Sequence, residues 1–453
     1  MIRNGRPGRR FERGAQGYEA ALLGTSFNAR DPGRRPAVLV QANTVEDVIA
    51  AVSEAAARGI RISLCSGGHS WAQNHFRDES LLIDLSRLNS IEIDRQAMTA
   101  RIGPGVEGAE LNRRLARQGL FFPTPHAPDV GMGGFLLQGG FGWGSRHFGM
   151  ACENVIALDV VLADGSLVRA DARHHPDLFW AARGAGPGFF GVVVGFHLQL
   201  HPRPRAIGIA SQVFGIEHLD AVFTWLDAVG PGVSRKVELQ ALMTPRPMGL
   251  RRAGIEVLAP VLADSWAEAR EAVRFLRTGP LRAKASYTLP LLPVPLDWMQ
   301  KSAGRIHFPD GMRWCVDNMW SDAPIEALLP GIRAIAADMP PAPSHVLWLD
   351  WRAPGNRPDM AFSLEGQRYL ALYGEWRDPA DDRRHADWAT RHMQAMAPLG
   401  LGSQLADENL ARRPTRFMAQ ANFERLAQIR ASYDPHRRFC SWMHEDGIRI
   451  SQD

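Results

Sequence analysis

Residues 60–71, Ile60-Arg-Ile-Ser-Leu-Cys-Ser-Gly-Gly-His-Ser-Trp71, contain the pattern from which the architecture of this chain can be worked out. Alternating apolar residues predict a short strand. It ends at Ser66-Gly67-Gly68, where missing side chains would let backbone N–H groups approach a ligand such as a phosphate. His69 follows, and an imidazole there could be a metal ligand, a general base or a covalent anchor. The alternative is an incidental histidine in a tight turn, because Gly-Gly-His alone is a weak signal.

Length and composition indicate a soluble globular protein. The chain has 453 residues, of which 45% are hydrophobic and 22% charged, so we expect at least two domains. No run of about 18 apolar residues is present, so no membrane span is predicted. The net charge is only +4, and we expect no nucleic-acid partner. We predict a cytoplasmic protein, with a disordered basic tail over residues 1–29.

The four cysteines are far apart in the sequence, at Cys65, Cys152, Cys315 and Cys440. No C-x-x-C pair occurs, so neither a zinc site nor a disulfide framework is predicted. We expect no metal, and buried free thiols are the simplest interpretation.

Two G-x-G-x-x-G patterns, at 103–108 and 186–191, would suit a nicotinamide dinucleotide. The first follows a short strand that carries Arg101, whereas a Rossmann unit needs a buried parallel strand. A strand rather than a helix follows the second, which removes the helix N-terminus that binds pyrophosphate. The glycine loops at 66–68, 131–142 and 184–191 instead suggest one domain wrapped around a large dinucleotide.

A set of motifs spread over residues 30–445 resembles the FAD-linked oxidases of the vanillyl-alcohol oxidase/p-cresol methylhydroxylase (PCMH) superfamily, in the berberine-bridge-enzyme-like (BBE-like) branch. The motifs are Leu64-Cys-Ser-Gly-Gly-His-Ser70, Pro128-Asp-Val-Gly-Met-Gly-Gly134, Gly139-Gly-Phe-Gly-Trp-Gly-Ser-Arg-His-Phe-Gly149, Asp177-Leu-Phe-Trp-Ala-Ala-Arg-Gly184, Trp376-Arg-Asp-Pro-Ala-Asp-Asp382 and Tyr433-Asp-Pro435. The family's tyrosine–asparagine pair is absent near Ser403-Gln404. The resemblance implies an α+β, two-domain flavoprotein.

The domain boundaries also follow from the resemblance and from the proline-rich segment 201–205. We expect a PCMH-type FAD-binding domain over residues 30–205 and a substrate domain with a smaller α+β sheet over 206–414. Residues 415–453 are expected to return to the first domain.

The resemblance further implies roles for individual residues. His69 would carry the flavin's 8α-methyl group covalently. No second link is expected, because Ala127 stands where the family can place a cysteine. Val130 occupies the position of a small gate residue, which would suit access of O2. The other residues expected to bind FAD are Ser66, Gly67, Gly68, Ser70, Gly131, Gly133, Gly134, Gly140, Gly142, Asn154, Val155, Gly191 and Val193.

A general base is expected on a strand of the second domain. Alternation along 346–352 puts Asp350 among tryptophans, where desolvation would raise its pKa as a base requires. An Asp350–Arg352 ion pair on an exposed face is an equal alternative. Tyr373 is the second candidate base, and His307 and His345 are weaker ones.

We predict an FAD-dependent oxidoreductase that takes a hydride from a small organic or natural-product substrate and is reoxidised by O2 with release of H2O2. A dehydrogenase, an oxidative cyclase or decarboxylase, and a flavin carrier without turnover remain open. Arg305, Arg313 and Arg352 could bind a carboxylate-bearing substrate, with solvated arginines as the alternative. We expect a monomer or a homodimer.

Overall fold

The computed structural model of this protein describes residues 8–247 and 249–443. Its N-terminal part contains short strands and helices joined by glycine-rich loops. The strands are β1 (Arg9–Glu12), β2 (Val38–Gln41), β3 (Ile62–Cys65), β4 (Leu81–Asp84), β5 (Ile91–Asp94), β6 (Thr99–Ile102), β7 (Leu120–Phe121), β8 (Val155–Val161), β9 (Leu167–Asp171), β10 (Val192–Gln199) and β11 (His201–Pro202). The helices are α1 (Tyr18–Leu23), α2 (Val45–Arg58), α3 (Gly108–Ala116), α4 (Met132–Leu137), α5 (Ser145–Phe148) and α6 (Pro176–Ala182).

The second part contains longer strands and helices. Its strands are β12 (Ala206–Gly215), β13 (Gln240–Thr244), β14 (Gly254–Ala263), β15 (Tyr287–Pro293), β16 (Arg313–Ser321), β17 (His345–Asp350) and β18 (Arg368–Trp376). Its helices are α7 (Leu219–Val229), α8 (Trp266–Ala272), α9 (Arg274–Thr278), α10 (Leu296–His307), α11 (Ile325–Ala337), α12 (Asp382–His385) and α13 (Trp388–Ala395), and α14 (Gln420–Tyr433) follows.

Helix α2 shows how local sequence positions the glycine loop. Thr44 accepts a hydrogen bond from the backbone N–H of Asp47, and the Asp47 carboxylate accepts from the N–H of Thr44, which completes a capping box. Gly59 ends the helix in the left-handed conformation. The chain then enters β3, which pairs in parallel with β4 and delivers Ser66 to the end of the strand. This part of the prediction is confirmed.

Three sheets and one strand pair organise the chain. The first has the order β1-β2-β4-β3 and the second β5-β6-β10-β8-β9, while β7 pairs with β11. The third has seven antiparallel strands in the order β15-β12-β14-β13-β17-β18-β16. The predicted two-domain α+β architecture is confirmed, but the substrate domain has the largest sheet rather than a smaller one. Strand β6 is antiparallel to both neighbours, which is incompatible with a Rossmann unit at 103–108.

The seven-stranded sheet has two different faces, because side chains alternate along each strand. On β14, Ile255, Val257 and Ala259 pack into a core shared with α7, α11 and α13. The intervening residues Glu256 and Leu258 face a cavity toward the first domain. The sheet therefore separates a helix-covered core from a chamber.

Both ends of the described chain fold onto the first domain. Strand β1 pairs with β2, and α1 buries Tyr18 and Leu22, so residues 9–23 are not a disordered tail; residues 1–7 lie outside the described range. Near the other end, the N–H of Ile62 donates to the carbonyl of Arg438 at 2.7 Å. Predictions that fall on residues 444–453 also lie outside the described range.

Candidate active site

A cavity of about 650 Å³ lies between the first domain and the open face of the seven-stranded sheet. The loop after β3 and the segment before α4 line one side. Strands β12, β13, β14, β17 and β18 line the other. The two domains thus form one continuous chamber, and a cofactor held by the first domain would face the sheet of the second.

The glycine loops touch each other closely at the floor of the cavity. A Cβ on Gly67 would lie 2.4 Å from the backbone nitrogen of Gly131, and a Cβ on Gly133 would lie 2.7 Å from Oγ of Ser66. Such approaches exclude any side chain at these positions. The Ser66 hydroxyl accepts a hydrogen bond from the N–H of Gly134 at 3.2 Å. The two loops therefore form a backbone-lined cradle that fits an extended dinucleotide.

His69 lines the cavity beside this cradle, and its orientation is fixed by two neighbours. Its ring stacks on Phe27 with centroids 4.3 Å apart. Its Nε2 lies 3.2 Å from Oδ2 of Asp129. Burial raises the pKa of Asp129, but the hydrogen bond and charge of His69 outweigh it, so the pKa lies below its usual value. An ionised Asp129 favours a proton on Nε2, directed at its carboxylate.

Most of the predicted cofactor residues line this cavity together with Ala127. They are Ser66, Gly67, Gly68, His69, Ser70, Val130, Gly131, Gly133, Gly134, Gly191 and Val193. Ala127 has no thiol, as the sequence showed. The sequence therefore predicted which loops converge.

Four predicted cofactor residues do not reach the cavity lining. A Cβ on Gly140 would lie 2.5 Å from the Cβ of Ala151, and one on Gly142 would lie 2.3 Å from the carbonyl of Thr124. These glycines let the 139–144 loop pack against its own domain. Asn154 donates to the carbonyls of Phe148 and Met150. Val155 is buried in the hydrophobic core of the first domain. All four residues therefore contact other parts of the protein rather than the cavity.

A cluster of aromatic residues and one carboxylate lies on the sheet side of the cavity. The Tyr373 hydroxyl donates to Oδ2 of Asp407 at 2.7 Å, and Tyr369 donates to the same oxygen. The indole of Trp71 donates to Oδ1 at 2.7 Å. Burial, and next the negative charge of Asp407, raise the pKa of Tyr373 well above its usual range. The phenol therefore stays neutral, with its proton directed at a carboxylate.

Asp407 was not predicted from the sequence, although it is the centre of this cluster. It lies in an irregular segment with no periodic pattern. Asn318 positions that segment, because its side-chain amide donates to the carbonyls of Gln404 and Asp407. The only signal in the sequence was the departure from the family pattern near Ser403-Gln404.

Asp350 lies on the opposite face of the sheet from the cavity. It pairs across the strands with Arg368, whereas His345, on the cavity face, pairs with Tyr373. Burial raises its pKa, as expected, but Nε of Arg352 donates to its Oδ1 at 2.9 Å. The structure does not bring Asp350 to the cavity. The alternation of side chains along β17 was predicted correctly, but the face that carries Asp350 was wrongly expected to border the cavity. The ion pair with Arg352 is present, but on a buried rather than an exposed face.

The predicted carboxylate-binding arginines also lie elsewhere. Arg313 pairs with Asp382, Arg352 with Asp350, and Arg305 is exposed. Within residues 8–247 and 249–443, no lysine or arginine lines the cavity. A carboxylate-bearing substrate is therefore not supported, because nothing in this lining would neutralise its charge.

Comparison with known proteins identifies the family. A family model described as FAD binding domain matches residues 36–171. The FAD-linked oxidoreductase nodO of Hypoxylon pulicicidum is 31% identical over 421 residues, which cover 91% of this chain and 92% of that protein. The chain belongs to the FAD-linked oxidoreductases.

Two further similarities bear on the fold and the class of this FAD-linked oxidoreductase. The crystal structure of 6-hydroxy-D-nicotine oxidase from Arthrobacter nicotinovorans has a TM-score of 0.81 at 23% identity, covering 95% of this chain and 96% of the other. (R)-6-Hydroxynicotine oxidase of Paenarthrobacter nicotinovorans is 37% identical over 172 residues, 38% of this chain and 37% of that protein. The predicted FAD-linked oxidoreductase family, the enzyme class and FAD as cofactor are confirmed, and the solved structure shows the same fold. The described part of the chain contains no helix with the length and hydropathy of a membrane span.

Proposed function

We propose that this FAD-linked oxidoreductase oxidises a small, largely apolar organic molecule at the cavity, on FAD attached covalently to His69. When bound, FAD would supply the hydride acceptor, and the two electrons would then go to O2 with release of H2O2. The observation that carries the proposal is the convergence of His69 and the Tyr373–Asp407 pair on one cavity. The substrate loses a hydride and a proton, and the protein has to take the proton.

Tyr373 and Asp407 form the proton acceptor in this proposal. A substrate O–H or N–H would donate to the Tyr373 oxygen as Tyr373 passes its own proton to Asp407. The raised pKa of Tyr373 makes a standing phenolate costly, so the two transfers have to be coupled. Trp71 and Tyr369 hold the carboxylate in place by hydrogen bonds. Asp407 is thus the final base and Tyr373 the group that contacts the substrate.

His69 is the proposed attachment point for the flavin. The Asp129 carboxylate lies 3.2 Å from Nε2, so His69 would hold the flavin through its other ring nitrogen. Phe27 limits rotation of the ring by stacking on it. With Ala127 in place of a cysteine, we propose one covalent link.

Reoxidation by O2 is proposed at Val130, whose small side chain lines the cavity. Val130→Leu should slow reoxidation in air while leaving anaerobic reduction by substrate within about twofold. The oxidase name of one relative supports this choice over a dehydrogenase.

The test is anaerobic mixing of the purified protein with a panel of apolar amines and alcohols, followed by admission of air. We expect the flavin absorbance to bleach with at least one class and to return in air with one H2O2 per bleached flavin. Bleaching that persists in air would favour the dehydrogenase, and a panel that never bleaches would contradict turnover.

A further inference from the structure

The cavity extends beyond the aromatic cluster along the inner face of the substrate-domain sheet. This extension is mostly apolar: Ile209, Leu242, Leu258, Leu289, Leu292 and Leu347 line it. Leu292, Trp298 and Ile306 are more than 40% exposed, at 41%, 59% and 58%. Exposed apolar side chains of this size on the rim of a cavity are typical of an entrance for an apolar ligand.

Glu256 is the exception in this apolar wall. It lies on the cavity face of β14, between the core residues Ile255 and Val257. Burial raises its pKa above the usual glutamate value, and the hydroxyl of Ser211 offsets only part of that effect. No arginine or lysine among the described residues forms an ion pair with it. A carboxylate on a cavity wall without a cation is costly unless a ligand supplies the partner.

Two other polar side chains on this side of the cavity, Gln240 and His126, are already engaged. The amide of Gln240 donates to Oε1 of Glu238 at 2.6 Å. The same carboxylate oxygen of Glu238 lies 2.6 Å from Nε2 of His126. Glu256 is therefore the carboxylate on this wall that remains available to a ligand. Its negative charge selects a hydrogen-bond donor, and most strongly a charged one.

Strand pairing gives the distance from Glu256 to the proton acceptor. Glu256 pairs with Leu242, Leu242 with Leu347, and Leu347 with Ala371 on β18. Three strand spacings of about 4.8 Å separate β14 from β18, and Tyr373 lies two residues further along. The two backbones are thus on the order of 15 Å apart. Leucines occupy the wall between them.

We propose that the substrate is an elongated apolar molecule with a basic amine at one end, held by Glu256, and with the oxidised carbon at the opposite end beside Tyr373. The proposal rests on the function proposed above and names its substrate class. Apolar burial along the leucine wall supplies most of the affinity, and the ammonium–Glu256 pair fixes which end enters the reaction site. An ammonium also favours the ionised form of Glu256, which burial alone opposes.

The test is isothermal titration of the purified protein with octylamine and with octanol, which differ in charge but share the same chain. We expect octylamine to bind the wild-type protein about tenfold tighter or more. In Glu256→Gln the difference should fall below about twofold, because the amide keeps the shape and loses the charge. Equal binding of both probes to the wild type would overturn the proposal, and this comparison requires no variant.

Two variants control the result. Glu92→Gln removes an exposed carboxylate on β5, outside the cavity, and should leave the amine preference unchanged. Asp407→Asn tests the competing carboxylate. A preference lost in Asp407→Asn but kept in Glu256→Gln would overturn the assignment. Binding requires no turnover. If the protein binds amines through Glu256 but its flavin is never bleached, the proposed oxidation is refuted and the proposed amine site is not.

Discussion

Tyr373 donates a hydrogen bond to Asp407 at 2.7 Å, although 34 positions separate the two residues in the chain. Tyr373 comes from the central part of a buried strand, and Asp407 from an irregular segment held by Asn318. Tyr373 alone is not a suitable base, because burial and the charge of Asp407 raise its pKa. Together they offer a neutral oxygen for the substrate and a carboxylate for the proton.

Tyr373→Phe should slow flavin reduction by about 10² to 10⁴-fold, because it breaks the path to Asp407. Anaerobic rapid mixing with an active substrate measures the rate. Tyr369→Phe is the matched control, since it removes a hydroxyl from the same carboxylate oxygen. We expect this control to stay within about tenfold of the wild type. Equal losses in both variants would transfer the role to Tyr369 or reduce it to structural support.

His69→Ala should convert covalent FAD to dissociable FAD. Acid precipitation of the wild type should give a yellow pellet, and precipitation of the variant a colourless pellet with FAD in the supernatant. Asp129→Asn should slow the attachment without abolishing it, because the Nε2 proton loses a charged acceptor. His147→Ala, outside the cavity lining, is the control and should keep its bound flavin. A yellow pellet from His69→Ala would refute the anchor.

Gly67→Ala should destabilise the protein by about 1–3 kcal/mol, because its Cβ would overlap the backbone of Gly131. Gly134→Ala is a matched substitution in the same cradle, and its Cβ would have no protein atom within 4 Å. We expect thermal unfolding of flavin-free protein to show a lower Tm for Gly67→Ala and an unchanged Tm for Gly134→Ala. Equal Tm values would mean that the loops are not in contact.

Glu375→Gln should weaken the pH dependence of stability on the alkaline side. Burial raises the pKa of Glu375 to about 10, and its Oε2 has no hydrogen-bond partner. Between the unfolded pKa near 4.5 and the folded value, the folded state binds the extra proton, so stability falls as pH rises. The neighbouring His345 has its pKa lowered to about 4 by burial, so it contributes a change only below about pH 6.5.

Thermal unfolding of the wild type and of Glu375→Gln between pH 7 and pH 9 isolates the glutamate by comparison, because other groups such as Glu408, whose pKa burial raises to about 7, are common to both proteins. The wild-type Tm should decline over this interval more steeply than that of Glu375→Gln. Glu92→Gln again serves as the control and should follow the wild type. Parallel curves for wild type and Glu375→Gln would show that this carboxylate is not protonated in the folded protein.

Local patterns predicted the elements around the glycine loops well. The capping box at Thr44, the stop at Gly59 and the turn at Ser66-Gly67-Gly68 depend on neighbours within a few residues, so the sequence specifies them directly. The structure of the two ends of the described chain was harder to predict from the sequence. Strand β1 forms only because β2 offers it an edge, which composition does not reveal.

The residues along the chain predicted the glycine loops of the cofactor cradle and His69 beside them, because closely spaced glycines and helix caps encode backbone geometry. The FAD-linked fold followed from the resemblance of its motifs to a known family. The tertiary structure decided which face of a strand borders the cavity. Alternation on β17 is the same whichever way the sheet turns, and only the helices packed on one side place Asp350 away from the cavity and Tyr373 toward it. Asp407 acquires its role from partners far away in the chain, and Glu256 from the absence of a cation in the described lining. Such relations form only in the folded tertiary structure.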